Sequence, residues 1–458
     1  MLQLAKPYRS SLSLIAVFIA ILLTMSGAPA QANSPAAPPN RDLTPSALAG
    51  AVSPEGLLNP DGTLDMSAGF QGTLDLRGWE VILDGERGPV LKPASRPAAP
   101  QVTAWNGLPN QGLGGGLPPM PGRPLLPTVE ALALVGSDLF VGGNFTRTGD
   151  GALTNLGFIA RYDTVTGTWN ALPHQGLNER VQVLAVTGSD LYVGGYFTQT
   201  GDGALTSLGR MARYDTTAGT WNALPHQGLG GGSSPSVRAL VVSGSDLYVG
   251  GSFVQTGDGS LTNLGRIARY SSTAGTWNAL PHQGLSGGLP PGPGWPLIPT
   301  VEALALVGSD LFVGGNFTRT GDGALTNLGF IARYDTVTGT WNALPHQGLG
   351  GGSSPSVRAL VVSGSDLYVG GYFTQTGDGA LTNLGRIARY SSTAGTWNTL
   401  PSQGLDNTVL ALAMSGSDLY VGGYFAQTGD GMLTDLGCIA HGGTYYYYAV
   451  YLPLVIKQ

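Results

Sequence analysis

The chain has 458 residues, 73 of them Gly and 31 Pro, and only 11% are charged. A formal charge of −6 with few lysines lacks the electrostatic footprint of a nucleic-acid binder. The single cysteine, Cys438, excludes an intrachain disulfide and any multi-cysteine metal site, so stability must come from packing and backbone ladders.

Residues 1–32 read as a secretory leader. Lys6 and Arg9 form the charged region, Leu12 to Met25 the apolar one, and Ala30-Gln31-Ala32 supplies small residues where a signal peptidase cuts. Its removal would take the net charge from −6 to −8 and leave no span long enough to hold the chain in a membrane. Residues 33–100 form a Pro/Ala-rich spacer and a small β appendage. Trp79 to Leu83 is strand-like there, and Asp84-Gly85 is a turn signal.

From 101 to 443 the chain repeats. Gly-Ser-Asp-Leu-(Phe/Tyr)-Val-Gly-Gly begins at Gly136, Gly188, Gly244, Gly308, Gly364 and Gly416, in steps of 52, 56, 64, 56 and 52 residues. A period of this size marks a repeat architecture. In the first unit Val129 to Val135 is an apolar strand and Gly136-Ser137-Asp138 a turn. Leu139 to Val141 makes a second strand, Phe158 to Tyr162 a third and Trp169 to Leu172 a fourth. Four short antiparallel strands per unit are the sheet of a propeller blade.

The ends sharpen the count. The sixth unit stops at Ile439-Ala440-His441 without a Trp-Asn strand, while Trp105-Asn106-Gly107-Leu108-Pro109 is such a strand without a preceding unit. The expectation is an all-β, six-bladed β-propeller of four-stranded blades, its ring closed by the N-terminal strand completing the last blade, since closure removes exposed sheet edges. An apolar tail, residues 444–458, follows.

Each unit resembles a kelch repeat of the galactose-oxidase-like propellers: an apolar run ending in Gly-Gly, then Tyr162 and, after six intervening residues, Trp169. That spacing recurs at Tyr214/Trp221, Tyr270/Trp277, Tyr334/Trp341 and Tyr390/Trp397. The longer loop after Gly-Gly and the phrase Leu-Tyr-Val-Gly-Gly-x-Phe-Thr are more similar to repeats of secreted bacterial proteins and fungal cortical-marker propellers. The resemblance implies the fold and no single activity.

The chemistry of the enzymatic relatives is missing. The copper site that the resemblance would bring needs a Cys-Tyr pair, a second Tyr and two histidines, but Cys438 has only His441 near it in sequence. A sialidase-like Asp box matches Asp163 to Trp169 only loosely, and no nucleophile elbow or zinc helix motif appears. No cofactor is expected, and the chain is read as a non-enzyme.

Asp150, Asp202, Asp258, Asp322, Asp378 and Asp430 recur in Thr-Gly-Asp-Gly loops and are weak calcium candidates. Each loop offers one carboxylate where calcium wants several converging oxygens, and Asp-Gly is an ordinary turn pair. His174, His226, His282 and His346 follow the fourth strand, which spreads them around the perimeter and precludes a shared zinc. Asn144-Phe145-Thr146 and Asn316-Phe317-Thr318 fit the glycosylation pattern.

A binding surface is expected where inter-blade links and the loops between strands two and three emerge together. Two links are long and Pro-rich, Gly114 to Thr128 and Ser286 to Thr300; they are nearly the same sequence, but Arg123 in one corresponds to Trp295 in the other. Arg and Trp dominate binding hot spots. With Arg147 and Arg319 just after Gly-Gly, they are the candidate ligand-binding residues. The reading is a secreted or cell-surface monomer that binds a protein or carbohydrate through this face. The alternatives are a secreted enzyme with an unrecognised site there, or a purely structural cell-envelope protein. Residues 125–177 and 297–349 differ only at Leu126 against Ile298, so recurrence within them reports copying.

Overall fold

The computed structural model describes residues 54–63, 65, 79–84, 88–93, 107–117, 126–288, 298–415 and 418–443. The expected leader, the strand around Trp105, the loop residues Arg123 and Trp295, and the C-terminal tail lie outside these. The chain divides into two compact units, residues 1–97 with 447–458, and residues 98–446. In the first, Trp79–Asp84 pairs antiparallel with Gly88–Pro93 around the expected turn, and Val90 and Leu91 are buried. No helix among the described residues is long and apolar enough to cross a membrane.

The second unit is a six-bladed β-propeller. Blade 1 consists of Thr128–Val135, Asp138–Asn144, Ile159–Asp163 and Thr168–Ala171, hydrogen-bonded in chain order as a meander. Blades 2 to 5 repeat it from Val181, Val237, Val301 and Ser356. Blade 6 contributes three strands among the described residues, Val409–Ser415, Asp418–Gly423 and Ile439–Gly443. The first strand of each blade packs on the first strand of the next, so this strand is the inner one.

The cores lie between blades. One cluster joins Phe140, Ile159 and Leu172 of blade 1 to Leu191, Val193 and Trp221 of blade 2, and equivalent clusters join each later pair. Small residues in the second strand make this approach possible. A Cβ placed on Gly142 would collide with Cγ1 of Val181 in the next blade, and the same holds for Gly194 and Val237, Gly250 and Val301, Gly314 and Val357, and Gly370 and Val409. Those five valines are fully buried, a gain of roughly 1.5–3 kcal/mol each. The first glycine of the doublet is therefore a socket for the neighbouring blade, while the second lies against the backbone of its own inner strand, where a Cβ on Gly143 would meet the Thr128 carbonyl.

The two end blades show the socket and the knob unmated. Val129 of blade 1 is 52% exposed, with Leu132 and Leu134 beside it also exposed. Leu113, Val129, Leu132, Val141, Phe145 and Trp169 line an apolar hollow on that flank. In blade 6, a Cβ on Gly422 would meet only Ala411, at 3.7 Å, and Tyr420 is exposed where Phe140, Tyr192, Tyr248 and Phe312 are buried.

The N-terminal segment already occupies the position a preceding blade would give it. Pro109 accepts the indole N–H of Trp169 at 3.1 Å, just as Pro173, Pro225, Pro281 and Pro345 accept those of Trp221, Trp277, Trp341 and Trp397.

The socket can be tested by filling it. Gly314→Ala forces a methyl against Val357 and is expected to cost about 1–3 kcal/mol in thermal or denaturant unfolding. If closure seats Val129 on Gly422, Gly422→Ala costs as much. A neutral Gly422→Ala would show that the sixth socket takes no valine.

Candidate interaction face

Antiparallel register gathers four chain ends at one edge of each blade. In blade 4 Val301 lies opposite Gly315, Gly314 opposite Ile331, and Ala332 opposite Ala343. The start of the inner strand, the loop between strands two and three, and the exit of the outer strand therefore share a face. The link and the loop are also tied to each other, because Leu285–Ser286 pairs with Arg319–Thr320 in a short ribbon. Leu113–Gly114, Leu229–Gly230 and Leu349–Gly350 do the same in their units. The sequence pattern carried no sign of these ribbons, since two-residue strands show no periodicity.

The histidines and aspartates come together on this face as latches. After each outer strand the chain makes a Pro-x-Gln-Gly turn with two successive residues at positive φ, such as His174 (58°) and Gln175 (56°). That turn docks on the Thr-Gly-Asp-Gly loop of the following unit. His174 Nδ1 lies 2.9 Å from Asp202, His226 3.0 Å from Asp258, His282 2.8 Å from Asp322 and His346 3.0 Å from Asp378. Asn110 takes the same place on Asp150 at 3.0 Å.

The backbone reinforces each latch, as when the Asp202 N–H donates to the His174 carbonyl at 3.1 Å and the Gly201 N–H to that of Gly176 at 3.0 Å. The second carboxylate oxygen caps its own loop, accepting from Thr200 Oγ1 and the Ala204 N–H, both at 2.9 Å.

The six aspartates are thus turn residues and latch partners. Their carboxylate oxygens are occupied within the chain, and no group of three or more His, Cys, Asp or Glu side chains that could hold a metal occurs among the described residues. The backbone N–H of Ala204 and then His174 hold Asp202 down to about 2, and Ala324 and His282 do the same for Asp322. Asp150, Asp258, Asp378 and Asp430 are lowered too, Asp430 by Thr428 and the Met432 N–H. The separation between each His and its Asp in the next unit varies from 28 to 40 residues, so spacing along the chain does not announce the pairing. The histidines and the aspartates recur along the chain as two separate series.

Arg147 and Arg319 are exposed on the ribbons, with Arg147 beside the Asp150-Gly151 turn. They are not brought together with each other, since they belong to blades 1 and 4. A second set of arginines, missed in the sequence, lines the inner edge of the face. Arg180 stacks on Tyr196 at 4.7 Å, Arg210 donates to the Tyr196 carbonyl, and Arg238 donates to the Tyr196 hydroxyl at 2.9 Å. Arg238 Nη1 also donates to both carboxylate oxygens of Glu302 in the next blade, at 2.8 and 3.1 Å.

In blade 5, Arg386 stacks on Tyr372 at 4.2 Å. The Ser353 hydroxyl, then the Arg386 charge, holds the Tyr372 phenol below its usual range. Arg210, Arg266 and Arg386 all sit at positive φ (65°, 68° and 64°), as do Phe158, Phe330 and Cys438 at the same point of the other units, so this backbone belongs to the repeat's loop whichever residue occupies it.

The arginines towards the opposite edge are neutralised. Arg161, Arg213, Arg269, Arg333 and Arg389 pair with Asp138, Asp190, Asp246, Asp310 and Asp366 at 3.1–3.4 Å. In the sixth blade His441 replaces the arginine, 3.5 Å from Asp418. Cys438, free and exposed, stands where three other units carry Arg210, Arg266 and Arg386.

The latches carry a pH signature. A carboxylate whose folded pKa lies below its ordinary 3.8 stabilises the fold above that value, and the contribution is lost as pH falls through the folded value near 2. Asp322→Asn should therefore melt at a lower temperature than the parent at pH 7, with the difference shrinking between pH 4 and pH 2. A difference independent of pH would remove the carboxylate from the latch.

No family model matches the chain. It is 26% identical over 181 residues to the Kelch-like protein terF of Aspergillus terreus, a match covering 39% of this chain and 37% of that protein. It is 32% identical over 102 residues to the polarized growth protein rax2 of Schizosaccharomyces pombe, covering 22% and 8%. It is 37% identical over 84 residues to the polarized growth protein L1 of a Phoma species, covering 18% and 6%. The chain thus spans little more than a third of the first relative's length and a small part of the other two.

Among solved structures, a computationally designed protein, Ika8, matches at 16% identity and a TM-score of 0.38, covering 67% of this chain and 73% of its own. The extracellular domain of a one component system of B. thetaiotaomicron matches at 15% and 0.40, covering 64% and 31%. Together with the six-bladed architecture, the similarity to the fungal proteins supports kelch-type propeller repeats in this chain.

Proposed function

We propose that this chain is an exported, non-catalytic interaction module that captures a protein partner through the face bearing the inter-blade links. The observation that carries the reading is the asymmetry of the arginines. Towards the other edge each pairs with an aspartate of its own blade. On the link face Arg180 and Arg238 lie against Tyr196 and also reach Glu130 (3.9 Å) and Glu302 (2.8 Å), whereas Arg386 lies against Tyr372, and Arg147, Arg319 and Arg358 are exposed with no carboxylate pair among the described residues. Arg and Tyr are the residues in which binding energy concentrates, because a large planar group buries area at low entropic cost. The similarity to kelch-like proteins supports an interaction module. Export rests on the N-terminal leader pattern.

The test is to probe protein and glycan arrays with the exported chain, then re-probe hits with an Arg123→Ala, Trp295→Ala double variant and with Arg147→Ala, Arg319→Ala. A protein hit weakened tenfold or more by either variant, without loss of thermal stability, is expected. Hits confined to glycans would replace the partner class, and hits indifferent to both variants would move the site off this face.

A further inference from the structure

The structure assigns a docking point for a carboxylate at Arg358, beside Leu410, and we propose that an acidic group of the partner fills it. This deepens the interaction reading above and rests on it. The chain supplies its own template, because residues 220–251 and 340–371 are identical in sequence. Arg238 and Arg358 therefore stand at the same point of the inner strand in blades 3 and 5, each with Nε donating to the serine two residues earlier, Ser236 at 3.0 Å and Ser356 at 3.2 Å.

What differs is what surrounds them. Beside Arg238 the next blade presents Val301-Glu302, and the Glu302 carboxylate takes both oxygens to Nη1 while accepting from Thr300 Oγ1 at 2.6 Å. Beside Arg358 the next blade presents Val409-Leu410. Leu410 is 40% exposed, and Arg358 is exposed with no carboxylate partner among the described residues. The preceding blade, which gives Arg238 the Tyr196 hydroxyl, offers Asn316 at the corresponding position, and Asn316 Oδ1 is buried without a hydrogen-bond partner.

A second cation adjoins the site. Ser356, which holds Arg358, lies opposite Tyr372 in the sheet, and Arg386 stacks on Tyr372 with Nη1 buried and unpartnered. In blade 3 the same positions are Ser252 and Arg266, and Arg266 donates to the Pro299 carbonyl at 3.2 Å. The copy in blade 5 has lost both the internal carboxylate and that carbonyl. Two guanidinium groups remain with donors to fill, and a carboxylate is the group that the twin site shows held at Nη1 of the arginine. An aspartate or glutamate side chain and a chain's C-terminus share that chemistry.

The experiment supplies the carboxylate in two ways to the full chain. In cis, Leu410→Glu should recreate the Arg238–Glu302 pair and raise the melting temperature, and the gain should vanish in Arg358→Gln, Leu410→Glu. In trans, a fluorescein-labelled, C-terminally amidated hexaglutamate should bind in an anisotropy titration. Binding should weaken at least tenfold in Arg358→Gln and in Leu410→Glu, while Arg161→Gln on the other edge changes it little. A hexaserine with a free C-terminus, binding with the same dependence on Arg358, would identify the terminal carboxylate as the source.

A Leu410→Glu effect that is absent, or unchanged by Arg358→Gln, overturns the proposal, as does peptide binding indifferent to both variants. Failure of the module reading looks different: the cis coupling persists while array partners ignore the link face.

Discussion

The contact on which this architecture depends is a valine pressed onto a glycine. Each blade is a thin meander with too little area to bury its own apolar faces, so its stability is borrowed from the neighbour. The first glycine of each Gly-Gly doublet removes the side chain that would hold two sheets apart, and Val181, Val237, Val301, Val357 and Val409 fill the space. The aromatic residues then lock in edge-on, as Phe140 does with Tyr214 at 6.0 Å and Phe312 with Tyr390 at 5.8 Å. Interior packing density leaves no room for an added methyl at the sockets, which is why glycine recurs there.

A second set of contacts ties the units at the perimeter. The Pro-x-Gln-Gly turn of one unit receives the next unit's tryptophan N–H, backbone amides and aspartate at once. Core packing sets how closely blades approach, and the latch sets their angle and register. The latch depends on hydrogen bonds to carboxylates at an exposed site, so acid weakens it while the valine sockets are indifferent to pH. With these two devices repeated, the loops need little ordering of their own and are free to vary.

Variation within a copied unit is therefore informative. Blades 3 and 5 share a long identical stretch yet place their arginine in different company, because the following blade presents Glu302 in one case and Leu410 in the other. Copying explains why the arginine is there twice. It does not explain why one copy lost its counter-charge, and an unpaired guanidinium on a face rich in arginine and tyrosine is what an acidic partner would meet.

The repeat period, the strand count and the all-β class could be read from the sequence, because glycine doublets, turn dipeptides and apolar runs are local signals that each unit states again. The crowding of backbones explains only the second glycine of each doublet, because the first makes room for a valine side chain that arrives from the next blade. Tertiary structure alone decided which unit each residue serves. His282 and Asp322 are 40 residues apart and meet across a unit boundary, and the Arg238 fork is filled from 64 residues away. Such pairings follow from how one blade seats on the next, a relation between faces that no periodicity along the chain records. The arginines of the inner edge were overlooked for the same reason. In sequence they are scattered singly, and only the antiparallel register of each blade brings them to one edge.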